Sequence, residues 1–90
     1  MDRVYLIVHG NVQGVGFRHH TRVKATELGL TGYVKNRPDG TVEIVAEGET
    51  PTVNQFLDWA KQGPPAASVR QVDIDYGTAN GEFSQFTVER

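Results

Sequence analysis

Two short helical stretches set among extended runs, all within 90 residues, most restrict what this chain can fold into. Arg3 to His9 (RVYLIVH) is β-branched and aromatic with nearly unbroken hydrophobicity, which predicts a central strand. From Phe17 to Leu28 the apolar or small residues Phe17, Thr21, Ala25 and Leu28 recur at spacings of four, four and three. That is one face of a helix ended by Gly29, with Val23 off the face. Tyr33 to Arg37 and Thr41 to Glu47 are extended runs joined by Pro38-Asp39-Gly40, where proline presets φ and glycine takes the positive φ of the turn. In the second run Val42, Ile44 and Ala46 alternate with Glu43 and Glu47, so one face should be buried and the other wet or partly wet. Thr50 reads as an N-cap before Pro51, and Val53, Phe56, Leu57 and Ala60 form an apolar stripe up to Gly63. Val72, Ile74 and Tyr76 alternate with Gln71, Asp73 and Asp75, and Phe86 and Val88 repeat the pattern, giving two closing strands.

The order β-α-β-β-α-β with one extra C-terminal strand is the ferredoxin-like split βαβ arrangement, an α+β fold with two helices on one face of a mostly antiparallel sheet. No linker, repeat or low-complexity tract interrupts it, so one domain over residues 1–90 is expected. With no cysteine there is no disulfide framework, no thiolate nucleophile and no sulfur-ligated metal, and the apolar core must hold the fold alone. The longest apolar run, Val4 to Val8, falls far short of the roughly 20 residues of a membrane span, and no signal-type segment follows Asp2 and Arg3; a soluble, cytoplasmic protein is expected, with no membrane partner.

Charge is unevenly spread. Net charge is −2, yet residues 9–37 carry five cations, Arg18, Arg22, Lys24, Lys35 and Arg37, against Glu27 alone, while the remainder carries four cations against ten carboxylates. An electropositive stretch on an acidic molecule suits capture of a small anion and discourages long polyanions such as nucleic acid. In the split βαβ topology the first two strands run parallel with the third between them, so the glycine-rich run Gly10 to Gly16 (GNVQGVG) and Asn36 reach the same sheet edge, two strand spacings of about 4.8 Å apart. An arginine on the loop and Asn36 can then share one small ligand.

Backbone amides of such a loop, running into a helix N-terminus, can converge on an anion with Arg18 adding a forked guanidinium. The same glycines also fit a plain turn and a solvated arginine; the loop is not a P-loop, since no Gly-Lys-Ser/Thr follows. The runs GNVQGVGFR, Gly10 to Arg18, and GYVKNRPDGTVEI, Gly32 to Ile44, together closely resemble the acylphosphatase family, and the match in length and element order covers the whole chain. The resemblance implies a ferredoxin-like enzyme that hydrolyses carboxyl-phosphate anhydrides without metal or cofactor. By it, Arg18 would bind the phosphate, the amides of Gln13, Gly14, Val15, Gly16, Phe17 and Arg18 would form a cradle, and Asn36 would orient the attacking water. Inorganic phosphate and sulfate would then compete with the substrate, and a monomer suffices. Tyr33 stands where the family commonly has tryptophan, a difference expected to affect packing more than chemistry.

The chemistry is sound without the family. A carboxylate leaves readily at pH 7, since its conjugate acid has a pKa of about 4–5, so no general acid is required. What remains is to hold a phosphoryl group, offset its charge and place a water in line. His19 and His20 are adjacent on a helix and point about 100° apart, which is not an i, i+4 ligand pair, and with His9 they read as structural or solvated. Asp39 reads as a turn residue, Phe56 and Trp59 as core, and Thr41 as either a support for the Asn36 amide or a strand-surface residue. The competing class is a binding module for anions or RNA, which this topology also carries; the run Thr41 to Glu47 has no aromatic and two glutamates, which disfavours RNA. A module of a larger carbamoyl-transfer protein would need cysteine-rich and catalytic segments that these residues lack.

Overall fold

The computed structural model describes residues 1–90, arranged as β1 (Asp2–Asn11), α1 (Phe17–Glu27), β2 (Thr31–Asn36), β3 (Val42–Gly48), α2 (Thr50–Gln62), β4 (Ser68–Thr78) and β5 (Phe86–Glu89). One sheet runs in the order β4-β1-β3-β2-β5. Every pairing is antiparallel except β2 with β5, which is parallel. The fold is the ferredoxin-like α+β arrangement with an added strand. No helix is long and apolar enough to cross a membrane.

Both helices bury their stripes on one face of the sheet. Phe17 and Ala25 of α1 and Val53, Phe56, Leu57 and Ala60 of α2 join Val4, Leu6, Val8, Val34, Ile44 and Ala46 of the strands in one core. Burying a side chain of this size is worth about 1.5–3 kcal/mol, which is how a chain without disulfides holds together. Val23 lies off the α1 stripe and is exposed. The Phe17, Phe56 and Trp59 rings pack together at centroid distances of 5.9 and 6.0 Å. α2 is capped differently from expectation: Glu49 is the N-cap, and the Thr50 hydroxyl instead donates to the Asp2 carboxylate at 2.8 Å, tying the helix to the start of β1. The proline preset acts one residue later than an N-cap at Thr50 would place it.

The alternation in β3 does not expose its second face. All seven residues from Val42 to Gly48 are buried, glutamates included. Tyr5 and Tyr33 donate their hydroxyls to Glu43 at 3.0 and 2.6 Å, with the Lys35 ammonium 3.7 Å away. The Arg3 guanidinium and the Asn80 and Gly81 amides do the same for Glu47, at 3.4, 3.4 and 3.2 Å. Phe83 closes the patch, its ring 5.9 Å from that of Tyr33 and beneath the Arg3 guanidinium at 5.6 Å. The segment between β4 and β5 therefore folds across the sheet face opposite the helices, and a buried carboxylate is tolerated there because each has several donors. Burial pushes the Glu43 carboxyl up, but the two tyrosine hydrogen bonds and the Lys35 charge outweigh it and hold its pKa below the usual value. Burial and the same carboxylate raise both tyrosines.

β4 is longer than its alternating core suggests and follows β1 along its whole length, with a register shift between His9 and Gly10. Strand register also levels two strand ends at one edge of the sheet. Val8 and Asn36 both stand opposite Val42, one on each side of β3, so the end of β1 and Asn36 are level.

Candidate active site

Loop 12–16 leaves β1 at that edge and turns into α1. Its side chains alternate in task. Gln13 donates its side-chain amide to the carbonyls of Arg37 and Thr41, both at 2.8 Å, and Val15 packs on the core, so these two hold the loop down. Gly14 and Gly16 between them have φ of 74° and 76°, a left-handed conformation that other residues adopt only with strain, and both line a cavity. Gly16 is also the N-cap of α1, and its carbonyl accepts the first turn's bond, from the His20 amide at 3.0 Å. The amides of Gln13 to Arg18 precede that bond and donate to no carbonyl of the chain. They crowd the positive end of the helix dipole.

The cavity holds about 370 Å3 and is bounded by this loop, the first turns of α1, Asn36 of β2 and Val88 of β5. Arg18, His19 and Arg22 line its α1 wall. The Arg18 guanidinium donates to the Glu89 carbonyl at 3.1 Å, so the last strand aims it. Across from it, the side-chain oxygen of Asn36 is buried with no donor from the chain. Asn36 itself lines the cavity, and an orphaned buried acceptor carries a desolvation cost of about 1–3 kcal/mol unless something donates to it. One cavity thus collects a guanidinium, a set of free amides and a lone carbonyl-type acceptor, which can hold an anion and a proton-donating neighbour side by side.

Most residues singled out in the sequence fall in this place. Arg18, Asn36, Gly14, Gly16 and Phe17 line the cavity, and Val15 and Gln13 support its floor. Others lie elsewhere. Thr41 does not reach Asn36: its hydroxyl donates to Asp39 at 2.6 Å and its carbonyl accepts from Gln13. Asp39 caps the hairpin turn, and the Thr41 hydroxyl and amide hold its carboxyl below the usual range. His9 pairs with Asp73 at 2.8 Å, away from the cavity. His20 packs edge-on against His19, and no three His, Asp or Glu side chains gather at one point. Tyr33 serves the opposite face of the sheet, through Glu43 and Phe83.

Three participants escape a sequence reading. The Gln13 side chain is one; its only signal is a long amide placed among glycines, beside a hairpin whose turn leaves carbonyls within reach. The others are Arg22, one turn beyond Arg18, and the β5 backbone, for which nothing in Phe86 to Glu89 speaks locally.

A family model described as acylphosphatase matches residues 4–88. A protein of Acaryochloris marina called acylphosphatase is 52% identical over 84 residues, which is 93% of this chain and 89% of its own. One of Methylococcus capsulatus, bearing the same name, is 49% identical over 90 residues, covering 100% of this chain and 98% of its own. The crystal structure of an acylphosphatase from Bacillus subtilis is 36% identical and superposes with a TM-score of 0.96, covering 100% of both chains. Sequence, length and backbone agree from end to end, and the chain belongs to the acylphosphatase family.

Proposed function

We propose that this chain hydrolyses acyl phosphates to a carboxylate and inorganic phosphate, with the cavity beside α1 as its active site. The observation that carries the reading is the pairing of Arg18 and free loop amides on one wall with the donor-less Asn36 oxygen on the other. The phosphoryl oxygens would accept from the amides of Gln13 to Arg18 and from the Arg18 guanidinium, whose bond to the Glu89 carbonyl keeps the fork in position. A water would donate one hydrogen to Asn36 Oδ1 and present its lone pair to phosphorus. Its attack forms the new P–O bond as the bond from phosphorus to the acyl oxygen breaks, and the electron pair leaves on the carboxylate. Asn36 is neutral and takes no proton, so the water's proton passes to a phosphate oxygen. The residues supply position and fixed dipoles, which suffice for a leaving group this stable.

Acetyl phosphate and an aryl phosphomonoester, assayed side by side for phosphate release in 18O-labelled water, test the proposal. Acetyl phosphate should be turned over, the monoester should not, and the label should appear in phosphate. Label in acetate would mean attack at the acyl carbon and would overturn the mechanism. Inorganic phosphate and sulfate should inhibit competitively, and Arg18→Gln should lose both turnover and saturable anion binding while remaining folded. A binding module without catalysis would keep the anion site and release no phosphate.

A further inference from the structure

The cavity so described accounts for the phosphoryl group and the water, and leaves the acyl end of a substrate without a partner. Arg22 stands one turn after Arg18 on the same face of α1 and lines the same cavity. It also lines an adjoining groove of about 730 Å3 between α1 and β5, which shares Val88 with the cavity and continues past Thr26, Thr87 and Ser84. Arg3, Lys24, Lys35 and Arg37 are each paired with a carboxylate, whereas Arg22 makes no ion pair and no hydrogen bond. No Asp or Glu lines either the cavity or the groove, on a chain whose net charge is −2. A guanidinium without a partner thus stands beside that of Arg18 in a channel that has no acid in its lining.

Its distance from Arg18 states what it reads. Four residues of helix displace Arg22 from Arg18 by about 6 Å along the axis. In an acyl phosphate carrying a second carboxylate two methylenes beyond the carbonyl, five bonds of about 1.5 Å separate phosphorus from that carboxylate carbon, or about 6 Å extended. With its phosphoryl group at Arg18, such a substrate reaches Arg22 with its far end. Resting on the acylphosphatase reading of this site, we propose that Arg22 is a specificity-determining residue that binds a second anionic group on the acyl moiety, so that acyl phosphates of dicarboxylic acids are preferred over their uncharged counterparts.

Succinyl phosphate and butyryl phosphate match in length and shape and differ in the terminal carboxylate, so their ratio of kcat/KM isolates the effect. The wild type should favour succinyl phosphate at least fivefold. Arg22→Gln should bring the ratio to one or below, chiefly by raising KM for succinyl phosphate, and Arg22→Lys should restore part of it, a point charge lacking the fork. Lys61→Gln removes one positive charge from α2, away from both spaces, and should leave the ratio as it was. A ratio that Arg22→Gln leaves unchanged, an equal loss on both substrates, or an equal shift in Lys61→Gln would each overturn the proposal, the second by placing Arg22 on the phosphoryl group and the third by tracing the effect to overall charge. Turnover of butyryl phosphate by the wild type separates these failures from failure of the acylphosphatase reading, since that reading alone predicts it; absence of turnover with both substrates would overturn the two together.

Discussion

Gln13→Ala tests whether the cradle is held by the hairpin or stands by itself. The substitution deletes two hydrogen bonds, to the carbonyls of Arg37 and Thr41 at 2.8 Å each. Neither carbonyl is orphaned, because the Gly40 amide still donates to Arg37 O at 3.1 Å and the Arg37 amide to Thr41 O at 2.9 Å. The loss is then the net worth of two ordinary bonds, about 0.5–1.5 kcal/mol each, with no added desolvation penalty. For a domain of this size that lowers Tm by roughly 5–20 °C. The functional cost is separate. The two bonds fix the distance between the loop and the segment that follows Asn36, and a misplacement of about 1 Å in such a site lowers rate on the order of 10²-fold. Acetyl phosphate kinetics well below the lowered Tm should show kcat reduced about 10- to 100-fold, and urea unfolding should show the stability loss. Gln13→Glu should be worse than alanine at neutral pH, since it turns a carboxylate toward two carbonyls. If Gln13→Ala loses stability but retains wild-type kcat, the cradle is built without the hairpin and the positioning argument fails.

Arg18→Lys should lower kcat/KM by at least about 100-fold with Tm nearly unchanged, because a point charge cannot reproduce a fork shared between a ligand and the Glu89 carbonyl; near-wild-type turnover would refute that geometry. Asn36→Ala should lose on the order of 10²-fold in kcat with a smaller change in KM, as expected if the amide holds the water and not the substrate. Exhaustive chelation should leave turnover unchanged, measured as phosphate release before and after metal removal. Glu43 has a folded pKa below its ordinary value, so it contributes stability that is full above the usual carboxylate range and is lost as pH falls through the folded pKa. Tyr5 and Tyr33 have raised values, so their contribution is full below about pH 10 and is lost at higher pH. Urea midpoints across pH should therefore decline on both sides of a neutral plateau, with Glu43→Gln flattening the acid side; an unchanged acid limb would show that the carboxylate is not the group responsible.

The parts of this structure that were legible in the sequence are those where a local pattern and its tertiary use coincide. The Phe17, Thr21, Ala25 stripe is buried as its spacing requires, because the same 3.6-residue period that forms the helix also faces the core. Pro38-Asp39-Gly40 makes its turn because φ preference and the Asp39 cap act within three residues. The glutamates of β3 show the limit. Alternation places them on a face expected to be wet or partly wet, and they are buried because partners from Tyr5, Tyr33, Arg3, Asn80 and Gly81, up to 44 positions away in the chain, converge on them. Periodicity reports which way a side chain points and is silent on what comes to cover it. Thr50 departs from its expected capping role for a related reason: its hydroxyl donates to Asp2, brought alongside by the pairing of β1 with β3.

The added C-terminal strand carries this one step further. In sequence it reads as an appendage to a complete split βαβ unit. In the fold it crosses from the β4 edge to the far edge and pairs in parallel with β2, setting Val34 opposite Val88 and Lys35 opposite Glu89. That register, which ends one residue short of Asn36, is what brings the Glu89 carbonyl to Arg18 and Val88 to the cavity wall. To reach that edge the chain must first pass over the open face, and the passage covers Glu43 and Glu47 on its way. The segment that buries the second face of β3 and the strand that aims Arg18 are consecutive, so the same excursion of chain both completes the hydrogen bonding of a half-exposed sheet and finishes the site.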